Sequence, residues 1–493
     1  MKVTITILLA TISLSCFAQV FDWNENCVKA YHDVISLKIN KAQPVLNAEK
    51  IRNPQNLVPL LIENYIDFFV LFLNEDPAER KARIGNWESR LNAIDAAPDN
   101  VAFKKFASSV INLQWAVVEM KFGNKWSAGW AFRDAFKQAK QNQAAFPNFT
   151  PNLIITGPMQ MAAATIPKNY RWLSNLLGIK GTMQQGIASM KQFMASTDTW
   201  ANLYREEGIF YQCYMQFYLL NQPEEALQFI STNQLDTRNN HLFTYMAANL
   251  YLNNKQSGRC KTIVLNRNTG AEYLNTGIWD YELAYAKLFH LEPDAGQYLE
   301  RYLANFKGDF YVKDCWLKLA LFYYLNNNTS QYKRCITNTL KRGAAKTDAD
   351  KRALKEANID RPPNVMLLKA RFLNDGGFYQ EALGVLAGKS SNDFTKDEDK
   401  LEFMYRVARI YDDLNRYDEA LKAYQATINF GKERTEYFAA RAALQCGLIY
   451  EKQGNMAKAI AFYQQCIDMD DHDYKDSLDQ KAKTGLARCT GKN

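Results

Sequence analysis

Glu63 and Asp67 lie four residues apart in the apolar run 57–73, LVPLLIENYIDFFVLFL, so on a helix both carboxylates face one side. Such a pair can exchange protons with a substrate. On the edge of an apolar helix it more often meets solvent or cationic partners. Cys213 is a nucleophile by type, but no histidine stands near it in sequence. GxSxG, GxGxxG and GxxxxGK[ST] do not occur. The chain has 4 histidines, and none forms HxxxH or HExxH. There is no CxxC, so a structural zinc site is not expected. No catalytic, cofactor-binding or metal-ligating residue is therefore assigned, and the chain is expected not to be an enzyme.

Two cysteine pairs, Cys446 with Cys466 and Cys315 with Cys335, have spacings that put both members inside one helical pair. Each pair is either a disulfide or, more in keeping with helix packing, small apolar filler. An oxidising compartment is implied by the first residues. Residues 1–18, MKVTITILLATISLSCFA, have a basic residue, an apolar stretch and small residues before Gln19, the layout of a secretory signal peptide. The expected location is periplasmic. Lipid anchoring at Cys16 is the less favoured alternative, because Ser13 stands where a lipobox usually has Leu. No later segment is expected to span a membrane, since the run 57–73 holds Glu63, Asn64 and Asp67.

These residues need a scaffold, and composition makes it helical. The 493 residues are too many for one core and suit two domains or an array. With 23 Gly and 13 Pro the chain is poor in turn formers for an all-β fold. The net charge of +8 comes from Lys and Arg interleaved with Asp and Glu, not from a basic stripe, so nucleic acid is not an expected partner.

After residue 200 a period emerges. In 401–434, Ala408 and Tyr411 mark a first helix and Tyr417, Ala420, Tyr424 and Ile428 a second. Gly447, Tyr450, Ala459, Tyr463 and Ile467 repeat the pattern, and Ala370, Tyr379 and Ala382 precede it. Trp316, Leu319, Ala320 and Tyr323 give one more first helix. Small residues let paired helices approach, and large ones fill the gap to the next pair. The second small position falls at Ala459, Ala420, Ala382, Tyr332, Gly296, Cys260 and Ala226, at intervals of 39, 38, 50, 36, 36 and 34. The interval of 50 contains an insertion, 343–363, whose KTDADKRALKEA segment is expected to form an extra exposed helix.

This pattern resembles the tetratricopeptide repeat. Segments such as ENYIDFFVLFLNEDPAER, YRWLSNLLGIKGT and LLKARFLNDGGFYQEAL, with the leader ending FAQ, resemble secreted tetratricopeptide proteins of Bacteroidota. The resemblance implies an all-α solenoid of helical hairpins, a right-handed superhelix, over residues 200–493, preceded by an irregular helical region, 19–199. It also implies a concave face made by first helices. The residues mapping there are Asn364, Leu367, Arg371, Glu402, Tyr405, Arg409, Asp412, Arg441, Leu444 and Leu448. Arg371 and Arg409 occupy equivalent positions and would clamp a carboxylate or carbonyl.

Residues 21–49, 54–74, 79–95, 100–121 and 124–145 read as helices from three- and four-residue apolar spacing. Residues 166–181, which hold Lys168, Tyr170, Arg171 and Trp172, read as a capping segment or an aromatic-anchored binding loop. The leading expectation is a non-catalytic periplasmic scaffold for a protein or peptide partner in envelope assembly or secretion, meeting the outer membrane through its partners. The alternatives are a glycan- or small-ligand-binding envelope protein, and a hydrolase with a site in the first half.

Overall fold

The structure, a computed structural model, describes residues 20–165, 178, 180–359 and 361–491. Residues 1–19, with Cys16, and nearly all of 166–179, including Lys168, Tyr170, Arg171 and Trp172, lie outside the described residues. All regular elements among the described residues are helices. The chain divides into two compact units. Unit 1 is Met1–Leu250 with Asn266–Thr276 and Phe306–Gly308, and unit 2 is Tyr251–Leu265, Gly277–Asn305 and Asp309–Asn493. The division falls near residue 250.

Unit 1 begins with α1 (Glu25–Ile35), α2 (Ile39–Arg52), α3 (Val58–Asn74), α4 (Pro77–Asp95), α5 (Ala102–Lys121), α6 (Lys125–Ala145) and α7 (Asn152–Ala164). It continues with α8 (Met183–Ala195), α9 (Thr199–Leu203), α10 (Arg205–Tyr214) and α11 (Pro223–Thr232). Asp76 caps α4 by accepting from the Ala78 amide, with Pro77 in the first turn, where its missing N–H costs nothing. The helix expected over 21–49 is two, because Leu37 takes φ +58° and its carbonyl accepts from the Leu274 amide. A leucine in the left-handed region carries no sequence signal. Between α10 and α11 a π-helical turn, Met215–Leu219, interrupts the pattern.

The run 57–73 becomes α3, buried along most of its surface by Leu61, Ile62, Tyr65, Ile66, Phe69 and Val70. Its two carboxylates have cationic partners: Glu63 pairs with Lys50, and Asp67 with Arg83 and, at 2.7 Å, with Arg90. No helix among the described residues is long and apolar enough to cross a membrane. Deeper in the unit, the buried Glu207 carboxylate accepts from the hydroxyls of Tyr31, Tyr65 and Tyr211, each at 2.9 Å. Burial outweighs these three bonds and holds its carboxyl above the usual range.

The helices that follow are α12 (His241–Asn253), α13 (Ser257–Asn266), α14 (Ile278–Phe289), α15 (Ala295–Asn305), α16 (Val312–Leu325), α17 (Thr329–Lys341) and α18 (Asp348–Asn358). Then come α19 (Val365–Gly376), α20 (Tyr379–Leu386), α21 (Asp397–Asp413), α22 (Tyr417–Gly431), α23 (Phe438–Lys452), α24 (Met456–Asp468) and α25 (Lys475–Thr490). From α19 onward they form hairpins, each packed on the next. The repeat residues do the packing. Ala370, Ala382, Ala408, Ala420, Gly447 and Ala459 are buried, and Tyr424 and Tyr463 are sealed in the core. Tyr411 and Tyr450 are half-buried against it, with Tyr450 stacked 5.5 Å from Phe462. A Cβ on Gly447 would come within 2.5 Å of the Tyr463 ring, which explains the glycine at this small position. Tyr332 does not occupy a small buried position; the inward residues of α17 are Cys335 and Thr339. The described cysteines are free thiols, and all but Cys489 are buried.

The insertion breaks the regular stacking. Its helix α18 is not simply exposed: Ala353 and Ala357 are buried, and it packs on α16 and α17. Asp350, fully buried, accepts from the amides of Tyr311, Lys313 and Asp314 at the start of α16, and from the Thr347 hydroxyl. The insertion thus supplies acceptors that α16 lacks in its own sequence. α14, two helices earlier than α16, packs directly on α19 through Phe289 and Phe372, and His290 stacks 3.8 Å from Phe378.

Candidate functional site

Between the α16–α18 group and the helices α19 and α21 lies a groove within unit 2 of about 1000 Å³. One wall is Leu317, Leu321, Tyr332 and Ile336 from α16 and α17. Lys355, Glu356 and Ile359 come from α18, and Arg361, Pro362 and Pro363 follow it. The opposite wall is Met366, Lys369 and Arg371 of α19 with Asp399, Glu402 and Arg406 of α21. Glu436, Tyr437 and Phe438 at the start of α23, with Tyr474, close one end. Pro362 and Pro363 fix the backbone entering α19, where the Asn364 side chain caps the amides of Met366 and Leu367.

Most charges in the groove are paired. Arg406 donates through Nε and Nη2 to Glu402 Oε1 at 2.9 and 2.7 Å, and its guanidinium lies over Phe438. Lys355 pairs with Asp473, Arg361 with Glu398, and Arg434 with Glu436 at 2.8 Å. Arg371 differs: its closest carboxylate, Glu356, is 3.8 Å away, and it makes no hydrogen bond among the described residues. It is ion-paired with Glu356 without a hydrogen bond, so its fork of donors can still meet a planar acceptor. Lys369 and Lys396 stand outside any ion pair among the described residues. Tyr437 packs edge-on to Tyr474 at 5.3 Å, and burial pushes its phenol up to about 12 against the pull of Arg406. Burial, then the nearby Glu402, holds the Asp399 carboxyl above its ordinary value. The groove offers aromatic edges, neutralised charge and one open guanidinium.

Of the residues mapped to the concave face, Asn364, Arg371 and Glu402 line this groove. Leu367, Tyr405 and Leu444 do not reach a surface; all are buried, Tyr405 against Tyr424, Tyr437 and Phe438. Arg409 is not a clamp residue. It bonds Asp412 at 2.9 Å, Asp413 at 3.0 Å and Gln445 at 3.0 Å, and Asp412 is held further by the Tyr424 hydroxyl. The first helices press directly on one another here, with Asn374 donating to Asp413 and Lys255 pairing with it, so these positions are interior. Arg441 and Leu448 lie outside the groove, Leu448 exposed on α23. The arginine beside Arg371 in the groove is Arg406, one helical turn before Arg409. Register within a repeat identifies a face only where the stacking is regular, and the insertion makes it irregular at this point.

A family model described as tetratricopeptide repeat matches residues 401–428 and 440–473, the hairpins α21–α22 and α23–α24. The chain therefore carries tetratricopeptide repeats in an all-α array of helical hairpins. No curated protein matches it. Among solved structures, the APC/C hetero-tetramer Cut9-Hcn1 is similar at 12% identity and a TM-score of 0.28, over 90% of this chain and 86% of that one. A likeness that small adds nothing to the geometry.

Proposed function

We propose that the protein is a non-catalytic scaffold of the periplasm that holds an extended segment of a partner protein in the unit 2 groove, in the service of envelope assembly or secretion. The observation that carries this reading is Arg371: a guanidinium in the groove wall without a hydrogen bond, beside repeats of a kind that supports protein–protein interaction. The peptide backbone supplies carbonyls at short intervals, and a row of paired charges with tyrosines between them can bond these without burying an unpaired ion. The leader supports the compartment. In unit 1 both carboxylates of the Glu63 and Asp67 pair are held by cations, which weakens a hydrolase reading.

Affinity capture from periplasmic extracts, with wild type and Arg371→Glu run side by side, tests the reading. Reversing the charge at Arg371 is expected to remove a protein that wild type retains, at least tenfold by quantitative mass spectrometry. Equal recovery from both baits would sink it. A small polar ligand is the second reading, favoured by a volume at the upper end of small-molecule sites. It predicts a thermal shift with small envelope glycans and none with peptides.

A further inference from the structure

In unit 1, α6 buries a face of small residues, Ala128, Ala131, Ala135 and Ala139. Its other face is unusual. Trp126 is 70% exposed and Trp130 51%. At 100° per residue, Trp126, Trp130, Arg133, Lys137 and Lys140 fall within about 40° of one line, and they span about 21 Å along the helix. Arg133 lies over the Trp130 ring at 5.5 Å and pairs with Asp134 at 3.0 Å. Lys137 and Lys140 are exposed, and Lys140 also donates to the Lys180 carbonyl at 3.3 Å. Residues 123–127, the turn and the first residues of α6, are exposed without a break, and Met120 at the end of α5 is 52% exposed.

Two exposed indoles on one helix face, with cations on the same line, are not ordinary surface decoration. Each ring stands open to solvent over half or more of its surface. A partner must flow around both rings and carry negative charge along the rest of the stripe. The bilayer interface does both: indoles settle at headgroup level, and basic side chains sit over anionic phosphates. We propose that the outer face of α6 docks this protein on an anionic lipid surface, with Trp126 and Trp130 in the headgroup layer and Arg133, Lys137 and Lys140 above it. This contact is direct and independent of the groove and its partner.

Sedimentation of the full mature chain with vesicles tests it. Vesicles of phosphatidylethanolamine with 30% phosphatidylglycerol, about a third anionic lipid, are compared with pure phosphatidylcholine. Wild type is expected to bind the anionic vesicles and to be released by salt. Trp126→Ser with Trp130→Ser, and separately Lys137→Glu with Lys140→Glu, are each expected to weaken the partition at least tenfold. All four positions are exposed, and unchanged circular dichroism melting shows that the variants are folded. Failure of wild type to bind the anionic vesicles would overturn the proposal. So would equal binding by the tryptophan variant, or tighter binding of wild type to soluble dextran sulfate than to vesicles.

Discussion

Single side chains decide how charge is handled in this protein. Glu292, in the turn between α14 and α15, accepts from Lys287 at 2.8 Å and from Lys261. Burial works to raise its carboxyl, but the two lysines win and hold it at about 2. A carboxyl depressed in the folded chain contributes stability that is complete above its unfolded value of about 4.3 and is lost as pH falls toward 2. Urea unfolding between pH 5 and pH 2.5 should show wild type losing about 1 kcal/mol more than Glu292→Gln, a figure reduced for solvent screening. Identical slopes would show that the lysines do not act on Glu292. At the same scale, Arg371 and Arg409 are alike in sequence and unlike in the structure. One has open donors; the other spends its donors on Asp412, Asp413 and Gln445. Part of the difference stands in the sequence, since Asp412 and Asp413 follow Arg409 at three and four residues where Asn374 and Asp375 follow Arg371; the rest lies in Gln445, 36 positions away.

Elements were readable wherever packing is local. The alternation of small and aromatic residues through Ala408, Ala420, Tyr424, Gly447, Ala459 and Tyr463 is a direct imprint of one helix lying on its neighbour, and these residues are in the core. The break at Leu37 and the π-helical turn at Met215–Leu219 were not readable, since neither has a glycine or proline to mark it. The packed side of α18 was missed for another reason: its Ala353 and Ala357 are faint apolar marks in a charged segment, and the role of Asp350 appears only when the start of α16 is beside it. Gly377, between α19 and α20, is a case where two requirements coincide. It takes φ +87°, and a Cβ there would overlap the Lys255 carbonyl oxygen. Gly377→Ala should therefore lower stability by about 2 kcal/mol, more than the left-handed conformation alone costs. A loss below about 0.5 kcal/mol in chemical denaturation would show that the turn can move away from Lys255.

For the molecule as a whole, the sequence indicated helical hairpins, and of the α21 positions it mapped to a concave face Glu402 lines the groove while Arg409, one turn beyond Arg406, is bonded within the unit. The groove lies between the α16–α18 group, which includes the insertion's own helix, and α19 and α21, where α14 meets α19 directly. That arrangement depends on contacts between distant segments, which a repeat period cannot report. The stripe on α6 was legible in principle, as Trp126, Trp130, Arg133, Lys137 and Lys140 follow the helical period. Its apolar part reads as a core face until the structure shows the rings exposed. The central claim is that a partner segment lies in the unit 2 groove. The most direct measurement places a photoreactive phenylalanine at Lys369 in the groove, and in a second protein at exposed Gln425 on α22, and irradiates each in native envelope. A discrete protein adduct from position 369, absent from 425 and abolished by Arg371→Glu, is the predicted result. The same adducts from both positions, or none from 369, would contradict it.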